Sequence, residues 1–381
     1  MMQLIEFFKV SSYDICFATP CSKKEHSYPL EKINIYTESI EVNNSSFNNF
    51  IQKLNPGIVI FDRFMMEEQF GWRVQEYCPR AITLLNTEDI HSLRRKRKSI
   101  IAGKPSSKNE ELELRELASI YRCDTSLIIS KFEIDYLKKK GLNEELLFYL
   151  PFMEEVPNLR DILKYEERSN MVTIGSFLHD PNVDGIRYLK ENVWPLIRKK
   201  LPKVEMHIYG SYPNSKIEQL TNLTDGFIIK GWADDVTNVM SKARVCLSPL
   251  RYGAGLKGKF IDAMRMGTPS VTTQIGSEGM PQGKDWPGFI SESPNEMANK
   301  AVLLYKQKDI WREKQSIGIK VLSSEFSKEE YQQKFKEKLF SLKANLEYHR
   351  SQNIIGNILK LNNLRSTKFM SKWIEEKNKR N

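Results

Sequence analysis

Apolar positions along this chain change period repeatedly, from every second residue to every third or fourth and back. Met2–Lys9 has helical spacing, Tyr13–Thr19 reads as a strand, and alternation continues through Ile33–Tyr36. Ser45–Leu54 is an amphipathic helix with a serine available as its cap. After Pro56-Gly57 comes the buried strand Ile58–Phe61. Helices over 66–77, 91–99, 110–121 and 132–140 then alternate with strands at 81–85, 126–129 and 146–150. A polar, aperiodic stretch at 152–169 reads as a linker. Beyond it a second series starts, with strands Met171–Ile174, Val204–Tyr209, Phe227–Ile229, Val245–Leu250, Ser270–Thr273 and Gly288–Ile290. Its helices are predicted at 183–199, 214–222, 235–243 and 295–307. Such alternation implies parallel sheets covered on both faces. The predicted fold class is therefore α/β, with two Rossmann-like domains (1–154 and 169–308) facing each other. Polar helices and a basic tail follow over 309–381, the tail suited to lie as a helix on another domain.

Length and composition agree with this division. At 381 residues, the chain exceeds what one core commonly serves, and 40% hydrophobic with 28% charged residues is ordinary for a globular protein. No apolar run approaches a membrane span, and the first residues lack the basic leader and long apolar core of a signal peptide. The five cysteines are scattered without a Cys-x-x-Cys, which fits reduced cytosolic thiols better than a metal site. The net charge of +10 admits nucleic acid, an anionic membrane face or anionic small molecules as partners. Arg94-Arg-Lys-Arg-Lys98 has no aromatic interleaving, so nucleic acid ranks last.

The chemistry concentrates in 251–280. Glycines at 253, 255 and 258 fall between the strand ending near Leu250 and a helix on which Phe260, Ala263, Met264 and Gly267 recur. Backbone amides on such a turn approach an anion closely, because no Cβ intervenes. Lys257 and Lys259 oppose the helix dipole unless a doubly charged group such as a diphosphate occupies the turn. Asp262, one turn further, can accept from both hydroxyls of a ribose. The alternative is a glycine-rich turn with solvated lysines.

Gly255-Leu-Lys-Gly-Lys259-Phe-Ile-Asp262, with Gly267-Thr-Pro269-Ser-Val and Gly276-Ser-Glu-Gly279, resembles the donor-site signature of family 4 glycosyltransferases, which have the two-domain GT-B fold. Gly175–Asn182, Ile208-Tyr-Gly210, Gly231-Trp-Ala-Asp-Asp235 and Asn86–His91 support the resemblance. It implies donor binding by Gly255, Leu256, Gly258, Asp262, Glu278 and Gly231. The implied catalytic groups are Lys259, Lys257 and, on the acceptor side, His91 beside Asp89; the alternative for His91 is a surface histidine. The family pairs two glutamates with seven residues between them. Here Asp262 holds the second position and Ala254 the first, so one sugar contact is missing. Gly175-Ser-Phe-Leu-His179 also lacks the family's basic pair, which shifts the leaving-group role to Lys257, Lys259 and the amides of Gly255–Gly258. Asn182 is expected as an N-cap and His207 as a structural residue inside a strand. Relatives carry a strand and glycine-rich loop ahead of a helix like Met2–Lys9, and their absence implies an internal start or a truncation.

The implied reaction is sugar transfer from a nucleotide-diphosphate donor to a carbohydrate or lipid-linked acceptor. Resemblance suggests retention of configuration. No Asp-x-Asp motif appears, so no metal is expected, and no cofactor beyond the nucleotide-sugar substrate. A cytoplasmic location is expected, and analogy adds work at the inner membrane face with peripheral contact to anionic lipid. Two rivals stand beside this reading: a non-catalytic GT-B protein that keeps a nucleotide pocket, and a sugar-nucleotide epimerase of the same fold.

Overall fold

The computed structural model describes residues 1–104, 108–281 and 283–379. The chain divides into two compact units. The first comprises Met1–Ser92, Ser107–Leu150 and Gln332–Asn381; the second comprises Leu93–Ser106 and Pro151–Tyr331.

In the first unit, β1 (Cys16–Thr19) and β2 (Tyr36–Ser39) form a parallel pair. A separate parallel sheet has β3 (Ile58–Asp62), β4 (Ile82–Asn86), β5 (Thr125–Ile128) and β6 (Leu147–Tyr149) in that order. The strand expected at Ile33–Tyr36 is displaced. Leu30–Ile33 is a 3-10 turn and Asn34 sits at φ 58, a left-handed position that interrupts pairing until Tyr36. The segment expected as an extension from 309 is helical, but it divides. From Gln332 on it belongs with the first unit. Arg350 holds it there, with Nε and Nη2 each 2.7 Å from an oxygen of the buried Asp124 and further bonds to the carbonyls of Pro79 and Ala81.

The second unit is one parallel sheet in the order β12-β11-β10-β7-β8-β9. Its strands are β7 (Ser169–Ile174), β8 (Met206–Tyr209), β9 (Phe227–Gly231), β10 (Ala243–Ser248), β11 (Ser270–Thr272) and β12 (Gly288–Ile290). Met171, Met206, Val245, Leu247 and Val271 point into a core closed by Leu189, Val193, Ile197 and Leu304. The helix expected over 183–199 is not continuous: Asp180–Tyr188 passes through a π turn, Leu189–Val193, into Trp194–Lys200. Pro195 explains the break, since it has no N–H to continue the ladder and its ring crowds the preceding turn. The expected helix at 214–222 shrinks to Ser215–Glu218.

Candidate active site

Strand order reverses between β7 and β10, and in an open α/β sheet ligands bind beyond the carboxyl ends of the two strands at such a switch point. The loops leaving those ends are Gly175–His179 and Pro249–Lys257. Each leads into a helix, Asp180–Tyr188 and Gly258–Arg265. The second loop turns through Gly255 at φ 64, which a side chain would strain.

Lys259, in the first turn of helix Gly258–Arg265, donates to Asn182 Oδ1 at 2.9 Å and to Ser248 Oγ at 3.1 Å. Burial pulls its ammonium down to about 8. The lysine is thus held from both sides of the switch point, by the end of β10 and by the helix that follows β7. Asn182 is not the N-cap, a position taken by His179. It lies inside the helix, where its Nδ2 donates to Ser176 O at 3.0 Å. A Cβ on Gly175 would overlap the Asn182 amide, which accounts for the glycine at the end of β7.

Lys257 differs from expectation. It is the N-cap of helix Gly258–Arg265 rather than a first-turn residue, it is buried, and its Nζ turns back onto Gly255 O at 2.8 Å. A second cation acts on the same loop: Arg97 Nη1 donates to Gly253 O at 2.7 Å. The C=O and N–H of one peptide plane point in opposite directions. Anchoring these two carbonyls therefore turns the amides of Ala254 and Leu256 away from Arg97 and Lys257. Arg97 also grips Glu278 with two bonds of 2.7 Å. Glu278 follows the short helix Gln274–Ser277, and this pair ties it to the loop. Asp262 receives Nη2 of Arg265 at 2.9 Å; burial raises its carboxyl pKa against the opposing pull of that guanidinium. Leu256 is buried, and Gly258 opens the helix. Gly231 ends β9 at φ 73, separated from β7 by β8, and its carbonyl accepts from Gly210 N at 2.7 Å.

His91 belongs to the first unit and begins helix His91–Ile101. Its Nε2 lies 3.3 Å from Asp89 Oδ1 and its ring meets Phe64 edge-on. The helix start is capped by Glu116, whose oxygens accept from His91 N and Ser92 N at 2.7 and 2.8 Å. Burial pushes the Glu116 carboxyl up to about 7. His207 lies in β8 with Nε2 2.7 Å from Glu205.

The Arg97 clamp leads to a direct expectation. Arg97→Ala is expected to weaken diphosphate binding at this loop about tenfold, as the loop loses a charge-assisted anchor. Glu278→Ala is expected to do the same, and the double variant no more than either alone. Additive effects in a double-mutant cycle would show that the pair does not act as a unit.

Comparison with known proteins places this architecture. HepE of Anabaena in complex with UDP and glucose superposes with a TM-score of 0.70 at 14% identity, covering 90% of this chain and 95% of that one. Sucrose-phosphate synthase from Thermosynechococcus elongatus gives 0.67 at 17%, covering 90% and 92%. A variant of S. aureus TarM, in complex with Fondaparinux, alpha-GlcNAc-glycerol and UDP, gives 0.61 at 18%, covering 78% and 58%. At these identities the likeness is one of fold: the protein has the GT-B fold of two Rossmann-like domains with a helical C-terminal region. Residues 168–307, within the second unit, match the family described as Glycosyl transferases group 1. A curated relative, an uncharacterized 44.6 kDa protein in the cps region of Klebsiella pneumoniae, is 28% identical over 167 residues, 41% of this chain and 40% of that protein. The chain thus spans less than two thirds of the length of this relative and of TarM.

Proposed function

We propose that the protein transfers a glycosyl group from a nucleoside-diphosphate sugar to an acceptor hydroxyl. The observation that carries this reading is Lys259, fixed by Asn182 and Ser248 in the first turn of a helix at the switch point. When the bond from the anomeric carbon to the diphosphate breaks, its electron pair stays on the phosphate oxygen. The Lys259 ammonium and the amides of Ala254, Leu256, Gly258 and Lys259 stabilise that charge. The acceptor oxygen forms the new bond and its proton passes to the departing diphosphate oxygen. Asp262 takes the ribose hydroxyls. Retention of configuration, turnover without a metal and an acceptor-side role for His91 complete the proposal. UDP is the first nucleotide to try, since HepE and TarM were both solved with it. The acceptor is a carbohydrate or a lipid-linked saccharide.

UDP at 100 times its dissociation constant is expected to stabilise the protein by about 2.7 kcal/mol, roughly 5–10 °C in Tm. No shift with UDP or any other nucleoside diphosphate would remove the site. Ala254, where the family has a sugar-binding glutamate, favours a second reading in which the pocket binds without turnover. Binding with neither transfer nor donor hydrolysis would establish that reading, and a new sugar nucleotide formed from donor alone would establish an epimerase.

A further inference from the structure

Helices Ile354–Arg365 and Thr367–Lys379 of the first unit each turn a row of large apolar side chains outward. Ile354, Ile355, Ile358 and Leu361 are 68, 51, 55 and 48% exposed, and Phe369, Met370 and Trp373 are 62, 59 and 60% exposed. Residues 354, 358, 361, 369 and 373 keep helical spacing across the junction at Ser366. The opposite side of each helix is committed to the unit. Asn353 Nδ2 donates to Tyr121 O at 2.7 Å, and a Cβ on Gly356 would overlap that same carbonyl. Lys360 lies 3.8 Å from Asp124, Ser371 accepts from Arg73 at 3.1 Å, and Lys368 pairs with Glu76 at 2.6 Å. Packing therefore sets the orientation of the helices, and the apolar rows cannot roll inward without breaking these bonds. A soluble surface rarely carries so many large apolar side chains together unless something covers them.

Charge decides what covers them. The sequence from 354 to 381 holds seven lysines and arginines against two glutamates, a net side-chain charge of +5. Both glutamates are engaged: Glu375 Oε1 accepts from Ser45 N at 3.0 Å, and Glu376 lies 2.7 Å from Lys379. Lys372 and Lys377 are exposed beside the row, and Lys377 Nζ stands 5.4 Å from the centre of the Trp373 ring. A symmetric pairing of two copies through this face would oppose lysine to lysine. Tryptophan, phenylalanine and isoleucine flanked by lysine instead match a helix lying in a headgroup layer. Among the described residues no helix is long and apolar enough to cross a membrane.

We infer that this face seats the protein on an anionic lipid surface, with the apolar row at the boundary between headgroups and acyl chains and Lys372 and Lys377 on lipid phosphates. The inference does not rest on sugar transfer, and its test needs no sugar nucleotide. The full chain is floated with vesicles of phosphatidylcholine alone and of phosphatidylcholine with phosphatidylglycerol. Binding to the second, weakened by salt, is the expected result. Ile358→Ser, Phe369→Ser and Trp373→Ser together are expected to cut partitioning at least tenfold. Lys372→Glu with Lys377→Glu is expected to abolish the preference for phosphatidylglycerol. Each set alters exposed side chains, so an unchanged melting curve is the folding control. Absence of wild-type flotation, or flotation indifferent to both sets, overturns the inference. So does a dimer in lipid-free solution that the triple variant dissociates, which would make the face a contact between copies.

Discussion

Lys259→Met is expected to lower kcat/KM for donor turnover by two to three orders of magnitude while leaving the protein at least as stable as the wild type at pH 7. The loss follows from removing a fixed cation from the place where diphosphate charge develops, an effect typically of about 10²–10³ in rate. The stability expectation follows from burial. The folded-state value of Lys259, about 8, lies below its ordinary 10.5, so the folded protein bears a cost for keeping the ammonium charged. That cost is fully present below pH 8 and is relieved as pH rises from 8 toward 10.5; it amounts to on the order of 3 kcal/mol. Methionine preserves most of the stem's volume and removes the charge. It leaves Asn182 Oδ1 and Ser248 Oγ without this partner, which costs about 1 kcal/mol each. Calorimetric melting and donor kinetics on the same preparation separate the two effects. The pH profile adds an independent mark. kcat/KM reports the free enzyme, so it should fall above about pH 8 in the wild type, and Lys259→Arg should remove that limb. A flat profile between pH 7 and 9.5, or a methionine variant within tenfold of wild type, would refute the assignment.

Local pattern carried most of the fold. β10, the turn at Gly255, helix Gly258–Arg265 and β11 lie where apolar spacing and glycines predict them, because each depends on residues close in sequence. Alternation predicts parallel pairing, and the strand pairs of the second unit are parallel, whereas their order is set by tertiary packing. What local pattern missed depends on partners distant in the chain. Arg97 reads as one cation of a basic run, and only folding brings it to Glu278, 181 residues away. Asn182 has the look of a cap, yet its carbonyl oxygen faces a lysine 77 residues on. Lys257 and Lys259 look equivalent in sequence. They stand two residues apart, the first an extended N-cap and the second inside the first turn, so the first turns back to Gly255 O and the second reaches across to Asn182 and Ser248. The division of the chain was also illegible, since the assignment of Leu93–Ser106 to the second unit and of Gln332–Asn381 to the first reflects tertiary contacts that periodicity does not encode. Only one sequence signal could have exposed the Arg97 clamp: an acidic residue between two glycines, Gly276-Ser-Glu278-Gly279, in a chain with a surplus of basic over acidic residues.

Arg168→Met is expected to destabilise the second unit by about 3 kcal/mol, lowering its Tm by roughly 6–12 °C. Arg168 stands at the end of the stretch that reads as a linker, where nothing in the sequence marks it, yet it is 1% exposed. Its Nε donates to Leu163 O at 2.9 Å, Nη1 to Thr268 Oγ1 at 2.7 Å and Ala243 O at 3.3 Å, and Nη2 to Met266 O at 2.6 Å. The guanidinium lies 5.1 Å from the centre of the Trp311 ring. Burial pulls it down to about 10, so it remains charged at neutral pH. None of these acceptors is a carboxylate; the charge is held by carbonyl and hydroxyl dipoles, and Met266 O lies at the C-terminal end of helix Gly258–Arg265, where the helix dipole favours a cation. One side chain thus joins the entry to β7, the start of β10 and the end of the helix that carries Lys259 and Asp262. Methionine fills much of the space but strands carbonyls in a dry interior, each a loss larger than the bond itself was worth. Lysine keeps the charge without the planar fork and is expected to fall between the two. Because Met266 O anchors that helix from behind, the methionine variant should also weaken UDP binding at temperatures well below its melting point. A variant that melts like the wild type would mean that the buried guanidinium costs as much to desolvate as its hydrogen bonds return, and would leave the placement of helix Gly258–Arg265 to Phe260 and Met264 packing alone.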